Sequence, residues 1–345
     1  MPTYDVTGAG KVVIGTPGKD TINVKSGKDH IVFANNGSDI INVKGGNNCM
    51  ISAGNMTGSA KDEEGRTDSK NTKDIIKIYG GKKNTIIGGP RKNDITMFGG
   101  NVKSILGGNG DDDRKSGDVI TIKKGSTISN ETYSPTYGQN YGISAAAGND
   151  KITFEKGAGS GVVIFADQGA DTIVIKGGSK HQINAGTGND TIIISAGNNH
   201  IIHTDAGTDK VTVSAGSGHK LYLDKGTNNV TLNAVSKSSK ITLYGGGTST
   251  DKITVKWKNG TKTGGIYSIN TESHTRYSYT DTLRITGIKS SAFQFKNKSG
   301  TLVMSNSNGS ISVNNMFASL HNTFTKGVTF DDRTLSVSAL LKKTK

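Results

Sequence analysis

Short runs in which polar and apolar side chains alternate recur along most of this chain, each set off by glycine. Thr21-Ile22-Asn23-Val24, Ile40-Ile41-Asn42-Val43, Thr172-Ile173-Val174-Ile175, Thr191-Ile192-Ile193-Ile194 and Lys210-Val211-Thr212-Val213 share this form. Alternation with period two predicts strands that bury one face. The runs are periodic as well. Asp20, Asp29, Asp39 and Asn48 anchor four of them at spacings of nine, ten and nine residues. Asp171, His181, Asp190, His200, Asp209 and His219 follow at ten, nine, ten, nine and ten. A single short strand cannot bury its apolar face, so repeats must stack to make a core. Two units of nine and ten give a flattened repeat of nineteen with one strand on each side. Nineteen residues are too few for three sides. The predicted core is Ile22, Val24, Ile41 and Val43, and later Ile173, Ile175, Ile192, Ile194, Val211 and Val213.

The two edges of such a roll differ chemically. One carries aspartates, with glycine two residues earlier at Gly18, Gly37, Gly169, Gly188 and Gly207. The other carries His181, His200 and His219, with glycine three residues earlier. The middle is less regular: Asp74, Asn84, Asp94 and Ser104 are spaced by ten, and Asn229, Ser239 and Asp251 drift. The expected organisation is an all-β chain. It comprises a degenerate parallel β-roll over 1–256 with insertions at about 55–71 and 130–141, a linker or insertion loop over 257–280, and a small β-rich module over 281–345.

Composition narrows this picture. The chain has 345 residues with 48 glycines and only 4 prolines, and the glycines lack the three-residue period of collagen. The only cysteine, Cys49, excludes an intrachain disulfide and reads as strand filler. No window approaches the ~18 apolar residues of a membrane span, and residues 1–15 show no cleavable secretory signal. Net charge is +14, which favours an anionic partner. Residues 282–345 carry nine Lys and Arg against two Asp, without a recognition helix, finger or RNP-like segment, so no specific nucleic-acid binding is expected.

Catalytic signatures are missing. No His-Glu pair exists for a zinc protease helix, no serine has a nucleophile-elbow setting, and no Walker-type loop occurs. The histidine row would place side chains about 4.8 Å apart, which suits a stacked ladder better than tetrahedral ligation. Tyr267, His274, Arg276, Tyr277 and Tyr279 form the best candidate patch for a polyuronate lyase or epimerase.

A hard cation needs six to eight oxygens, and glycine-rich turns can supply carbonyls beside a carboxylate. The segment Ala185-Gly186-Thr187-Gly188-Asn189-Asp190-Thr191-Ile192-Ile193 resembles the RTX, or hemolysin-type, nonapeptide repeat, G-G-x-G-x-D-x-U-x. The run from Thr282-Leu283-Arg284-Ile285 through Val328-Thr329-Phe330-Asp331-Asp332 is similar to the module that follows such repeats, with Arg333 in place of a glycine. This resemblance implies a right-handed parallel β-roll with calcium (Ca2+) between successive turns. The implied ligands are Asp20, Asp39, Asp171, Asp190 and Asp209, then Asp29 and Asp150, with carbonyls near Gly18, Gly37, Gly169, Gly188 and Gly207. It also implies secretion from a bacterium by an uncleaved C-terminal type I signal. The functional expectation is a secreted, calcium-binding surface, matrix or adhesion component whose basic faces meet anionic polysaccharide or the cell envelope. The alternatives are a polyuronate-active lyase or epimerase, and a structural repeat that needs no calcium.

Overall fold

The computed structural model describes residues 1–54, 73–89, 92–108, 117–136, 138–233, 235–236, 239–245, 250–257, 263–270, 281–314, 316–317 and 327–344. The chain forms two compact units, Met1–Ile183 and Asn184–Lys345. Among the described residues nearly all of the secondary structure is β, with a 3-10 turn at Ser290–Ala292 and one short α-helix at Val337–Lys343.

In the first unit, consecutive strands alternate between two parallel sheets. One sheet is built in order from Thr3–Val6, Thr21–Val24, Ile40–Val43, Asp74–Ile78, Asn93–Met97, Val119–Ile122, Lys151–Phe154 and Thr172–Ile175. The other takes the intervening strands, from Val12–Ile14, Ile31–Phe33, Met50–Ser52 and Asn84–Ile87 to Gly100–Leu106. It then continues through Ile143–Ser144 to Val163–Phe165. The predicted insertion at 130–141 is an antiparallel hairpin, Thr132–Ser134 against Gln139–Tyr141. The insertion at 55–71 lies outside the described residues.

The second unit repeats this plan. One sheet runs Thr191–Ile194, Lys210–Val213, Asn229–Asn233, Lys252–Lys256, Thr282–Thr286 and Val328–Thr329, all parallel. Its companion runs Ile201–His203, His219–Leu223, Lys240–Gly245, Thr263–Asn270 and Gly309–Val313, also parallel. The segment expected as a loop over 257–280 therefore contains an eight-residue strand of the companion sheet, Thr263–Asn270. Its alternating Ile266, Tyr267, Ser268 and Ile269 were legible, but the absence of an aspartate or histidine anchor hid them.

Residues 281–345 continue the parallel sheets and then stop them. Gln294–Lys298, Thr301–Asn306 and Gly309–Val313 form an antiparallel meander, and Thr334–Leu335 folds back on Val328–Thr329. An edge strand that reverses direction ends the parallel stacking register. Trp257, Phe293 and Phe330 pack beneath it, with ring centroids 5.2 and 5.9 Å apart. The paired aspartates of this segment hold the turn at 287–290: Gly287 N–H donates to Asp331, and Ser290 N–H and Oγ donate to Asp332. These bonds pull the Asp332 carboxyl down to about 2.

The predicted core is the observed one. Ile22, Val24, Ile41, Val43, Ile173, Ile175, Ile192, Ile194, Val211 and Val213 are completely buried. Their alternate neighbours point outward, as in the column in which Asn42 donates to Asn23 and Asn23 to Asp5. Cys49 is a buried filler.

Candidate functional site

Most strands of the first sheet of each unit are entered from a buried aspartate. In the first unit these are Asp20, Asp39, Asp74, Asp118, Asp150 and Asp171, and in the second Asp190, Asp209, Asp251 and Asp281, all buried. Within each unit, a peptide N–H one repeat earlier caps the carboxylates of Asp39, Asp74, Asp118, Asp150 and Asp171, and of Asp209, Asp251 and Asp281. Asp20 N–H donates to Asp39 at 2.7 Å, Asp39 N–H to Asp74 at 2.7 Å and Asp150 N–H to Asp171 at 2.7 Å. Asp190 N–H donates to Asp209 at 2.8 Å, and Asp251 N–H to Asp281 at 2.8 Å. A buried backbone donor left unmatched is costly, and a turn cannot pair it within its own strand. The aspartate of the next repeat supplies the acceptor.

Of the seven expected ligands, Asp20, Asp39, Asp150 and Asp171 join such a ladder in the first unit, and Asp190 and Asp209 in the second. Asp29 does not join. It is exposed on the opposite edge with φ 54°, and the inward position there belongs to His30. The histidine-edge turn inserts a left-handed residue just before the inward one: Asp29, Asn48, Lys83, Lys180 and Asn199 all have positive φ. Asn and Asp tolerate that conformation well, so a turn aspartate was mistaken for an anchor. The same one-residue error affects Asn48, Asp94 and Asn229, whose neighbours Cys49, Asn93 and Asn228 are the buried ones. Asp74, Asp118, Asp251 and Asp281 were not expected as part of the site, because glycine two residues earlier was taken as its sign. The informative signal is an aspartate followed by alternating apolar residues, as in Asp118-Val119-Ile120-Thr121-Ile122.

The opposite edge is a ladder of neutral imidazoles and amides. His30 Nδ1 accepts from Lys11 N–H at 3.2 Å, and His181 Nδ1 from Val162 N–H at 3.2 Å. His219 Nδ1 accepts from His200 N–H at 3.3 Å. Each Nε2 faces a turn carbonyl four residues back: Ser26, Gly177, Ala196 and Ala215 for His30, His181, His200 and His219. With Nδ1 accepting, Nε2 carries the proton, and a neutral ring satisfies both partners. Asn84 does the same with its amide, accepting from Cys49 N–H and donating to Gly46 O. The His200 and His219 rings stack at 5.0 Å and 2°. Burial lowers His181 to about 4 and also lowers His219. These bonds occupy the lone pairs a metal would need.

A test of cation binding separates the aspartates. Asp20 is saturated: Thr16 N–H donates to Oδ2 at 2.6 Å, and the Thr16 hydroxyl lies within reach of both oxygens. Asp209 is different. Its Oδ1 takes the Asp190 N–H, while its buried Oδ2 has no donor. Burial raises its carboxyl to about 6, the Asp190 N–H opposes that rise, and the Asp205 charge adds to it. Asp205, likewise raised by burial and by Asp224, accepts the Gly186 N–H. Near the Asp209 carboxylate, a cation would find the carbonyl of Gly188, since both oxygens crowd the Cα of Gly207. The Gly188 oxygen approaches so closely that a Cβ on Gly207 would lie 1.5 Å from it. Two other carbonyls are engaged: Gly186 O accepts Ala206 N–H, and Ala206 O accepts Gly188 N–H. Among the described residues no group of three or more His, Cys, Asp or Glu converges as a metal cluster. The Asp209 oxygen without a donor is open to a hard cation, as the Asp20 oxygens are not, but the donors around it are fewer than the six to eight such an ion takes.

No protein-family model matches the chain, and no curated protein matches it. Of the suggested uronate patch, Tyr267 is a core residue, buried against Trp257 at 6.2 Å. His274, Arg276, Tyr277 and Tyr279 lie outside the described residues.

Proposed function

We propose that the chain is a right-handed parallel β-roll of the RTX type. In this reading it works outside the cell as a surface, matrix or adhesion scaffold whose turns respond to calcium. The observation that carries the calcium part is the buried, donorless Oδ2 of Asp209 beside Asp205 and Asp190. An ionised carboxylate in that position is unfavourable without a counter-charge, and a bound cation supplies one. Asp190 and Asp209, with the Gly188 carbonyl, would hold it. Parallel strands in two alternating sheets and a repeat of nineteen support the roll. The strong bias of parallel crossovers towards one hand supports its handedness.

Binding only to the folded chain adds about 2.7 kcal/mol when free calcium is a hundredfold above Kd. The test is calcium titration of EDTA-treated protein, followed by calorimetry and far-UV circular dichroism. Wild type is expected to bind calcium with heat and to melt higher. Asp209→Asn, which keeps the Oδ1 acceptor for Asp190 N–H, should lose that response. It should also melt higher than wild type without metal, because the costly buried charge is gone. Equal calcium responses in the two proteins would remove Asp209 from the site. No response in wild type would leave the second reading, a metal-independent structural roll. The N–H caps on the aspartates and the bridged Gly186 and Ala206 carbonyls favour that reading.

A further inference from the structure

Among the described residues, three outward columns on one sheet of the second unit carry cations, hydroxyls and amides and no carboxylate. On the sheet that begins with Thr191–Ile194, the outward positions fall into three columns. Lys210, Asn229, Lys252 and Thr282 align in the first. Ile193, Thr212, Thr231, Thr254, Arg284 and Thr329 align in the second. Asn233, Lys256 and Thr286 align in the third. Lys210, Lys252, Lys256 and Arg284 are exposed.

The first unit treats the cations of its corresponding sheet differently. Lys25 pairs with Asp5 at 2.6 Å, Lys73 with Asp94 at 3.1 Å and Lys176 with Glu155 at 3.2 Å. Among the described residues, none of the four cations of the second unit's face makes an ion pair. The interior explains part of this imbalance. At least ten of the 28 acidic residues are buried aspartates, leaving at most 18 to oppose 42 Lys and Arg at the surface.

We propose that this face is a docking surface for a linear anionic polysaccharide, lying across the strands and bound through carboxylate or sulfate groups. The inference rests on the scaffold reading above and assigns its glycan contact to one face. Spacing argues for such a polymer. Lys210 and Lys252 stand two strands apart, about 10 Å, and Lys252 and Lys256 stand four residues apart on one strand, about 13 Å. Charges that sparse match a polymer with one anionic group per sugar or per disaccharide. Duplex DNA carries a charge every ~1.7 Å of axis, and single strands are gripped by aromatic platforms. No aromatic side chain stands in these columns. Ile193 is the one large apolar side chain in them, at the first strand and only partly exposed, too little to enter a membrane interface. Rows of Thr and Asn between the cations offer hydrogen bonds to sugar hydroxyls.

The probe is polygalacturonate, with neutral dextran and duplex DNA as comparisons, titrated against the full chain at several salt concentrations. One variant removes the face charges: Lys210→Gln, Lys252→Gln, Lys256→Gln and Arg284→Gln together. A control removes four exposed cations elsewhere on the same unit: Lys220→Gln, Lys225→Gln, Lys240→Gln and Lys296→Gln. A single reversal, Lys252→Glu, serves as a milder second variant, and circular dichroism verifies that each protein folds. Exposed ion pairs are individually weak, so the four together should account for about tenfold in affinity. The face variant should lose that and bind with a shallower salt dependence, while the control stays within about twofold. Equal losses in both variants would overturn the face and leave a general polyanion attraction. Equal or tighter binding of DNA by wild type would overturn the choice of polymer. Absence of wild-type binding to polygalacturonate would overturn the glycan contact altogether, leaving the calcium experiment to judge the scaffold.

Discussion

Acidification should act on the histidine ladder, and His181 allows the size of the effect to be worked out. The ring is fully buried against Phe154, with centroids 4.5 Å apart, and Nδ1 accepts the Val162 N–H. Protonation would set a donor against a donor and place a charge in the core. The folded value is about 4 against 6.5 for an exposed imidazole. The unfolded chain therefore binds more protons in this window, so stability rises with pH. The contribution is complete above about 6.5 and is lost as pH falls towards 4, amounting to about 3 kcal/mol. Asp209 works in the opposite sense. Its raised carboxyl favours the folded state at low pH, and that advantage disappears as pH rises from 3.8 through about 6. The two effects overlap, so the wild-type curve alone cannot isolate the imidazole. The assay is urea unfolding of wild type and His181→Asn between pH 7 and 4. Asparagine keeps the ladder, as Asn84 shows, and does not titrate. The difference between the two proteins should change by about 3 kcal/mol across this range. Parallel curves would refute a buried neutral imidazole accepting from Val162.

Two further outcomes follow from packing. Gly207→Ala should destabilise by about 3 kcal/mol or more in thermal melts, since the new methyl would meet the Gly188 carbonyl at 1.5 Å. Alanine at the exposed Gly10 meets no atom within 4 Å and should cost less, its positive φ being the only strain. Ile192→Ala should cost about 2–5 kcal/mol in urea unfolding. Ile193→Ala, on the outer side of the same strand, should cost under about 1.5 kcal/mol, since Ile193 is only partly buried.

Much of the fold was legible in the chain because apolar alternation and stacking impose the same period. The inward Ile and Val residues could be assigned from their position in each run, and all of those expected are buried. Asp190 and Asp209 were legible for the same reason. What failed was parity at the turns. A shift of one residue exchanges inside for outside, and the left-handed residues at Asp29 and Asn48 introduced that shift unseen. Tyr267 falls in the expected patch with His274, Arg276, Tyr277 and Tyr279 because no aspartate or histidine anchor marks its strand; in the fold it is buried against Trp257.

By itself, the sequence determined a chain of short one-faced strands, repeating every nineteen residues, with glycine turns and unlike edges. Local sterics and the burial of alternating side chains suffice for that. Only the tertiary structure decided which atom most of the buried aspartates meet, because for Asp39, Asp74, Asp171, Asp209 and Asp281 the donor is the peptide of a residue one repeat away. It also decided that these carboxylates are interior hydrogen-bond acceptors. That leaves Lys210, Lys252, Lys256 and Arg284 of the second unit without an ion pair among the described residues. Hydrogen bonding and desolvation between repeats depend on register, and register exists only once the strands are side by side.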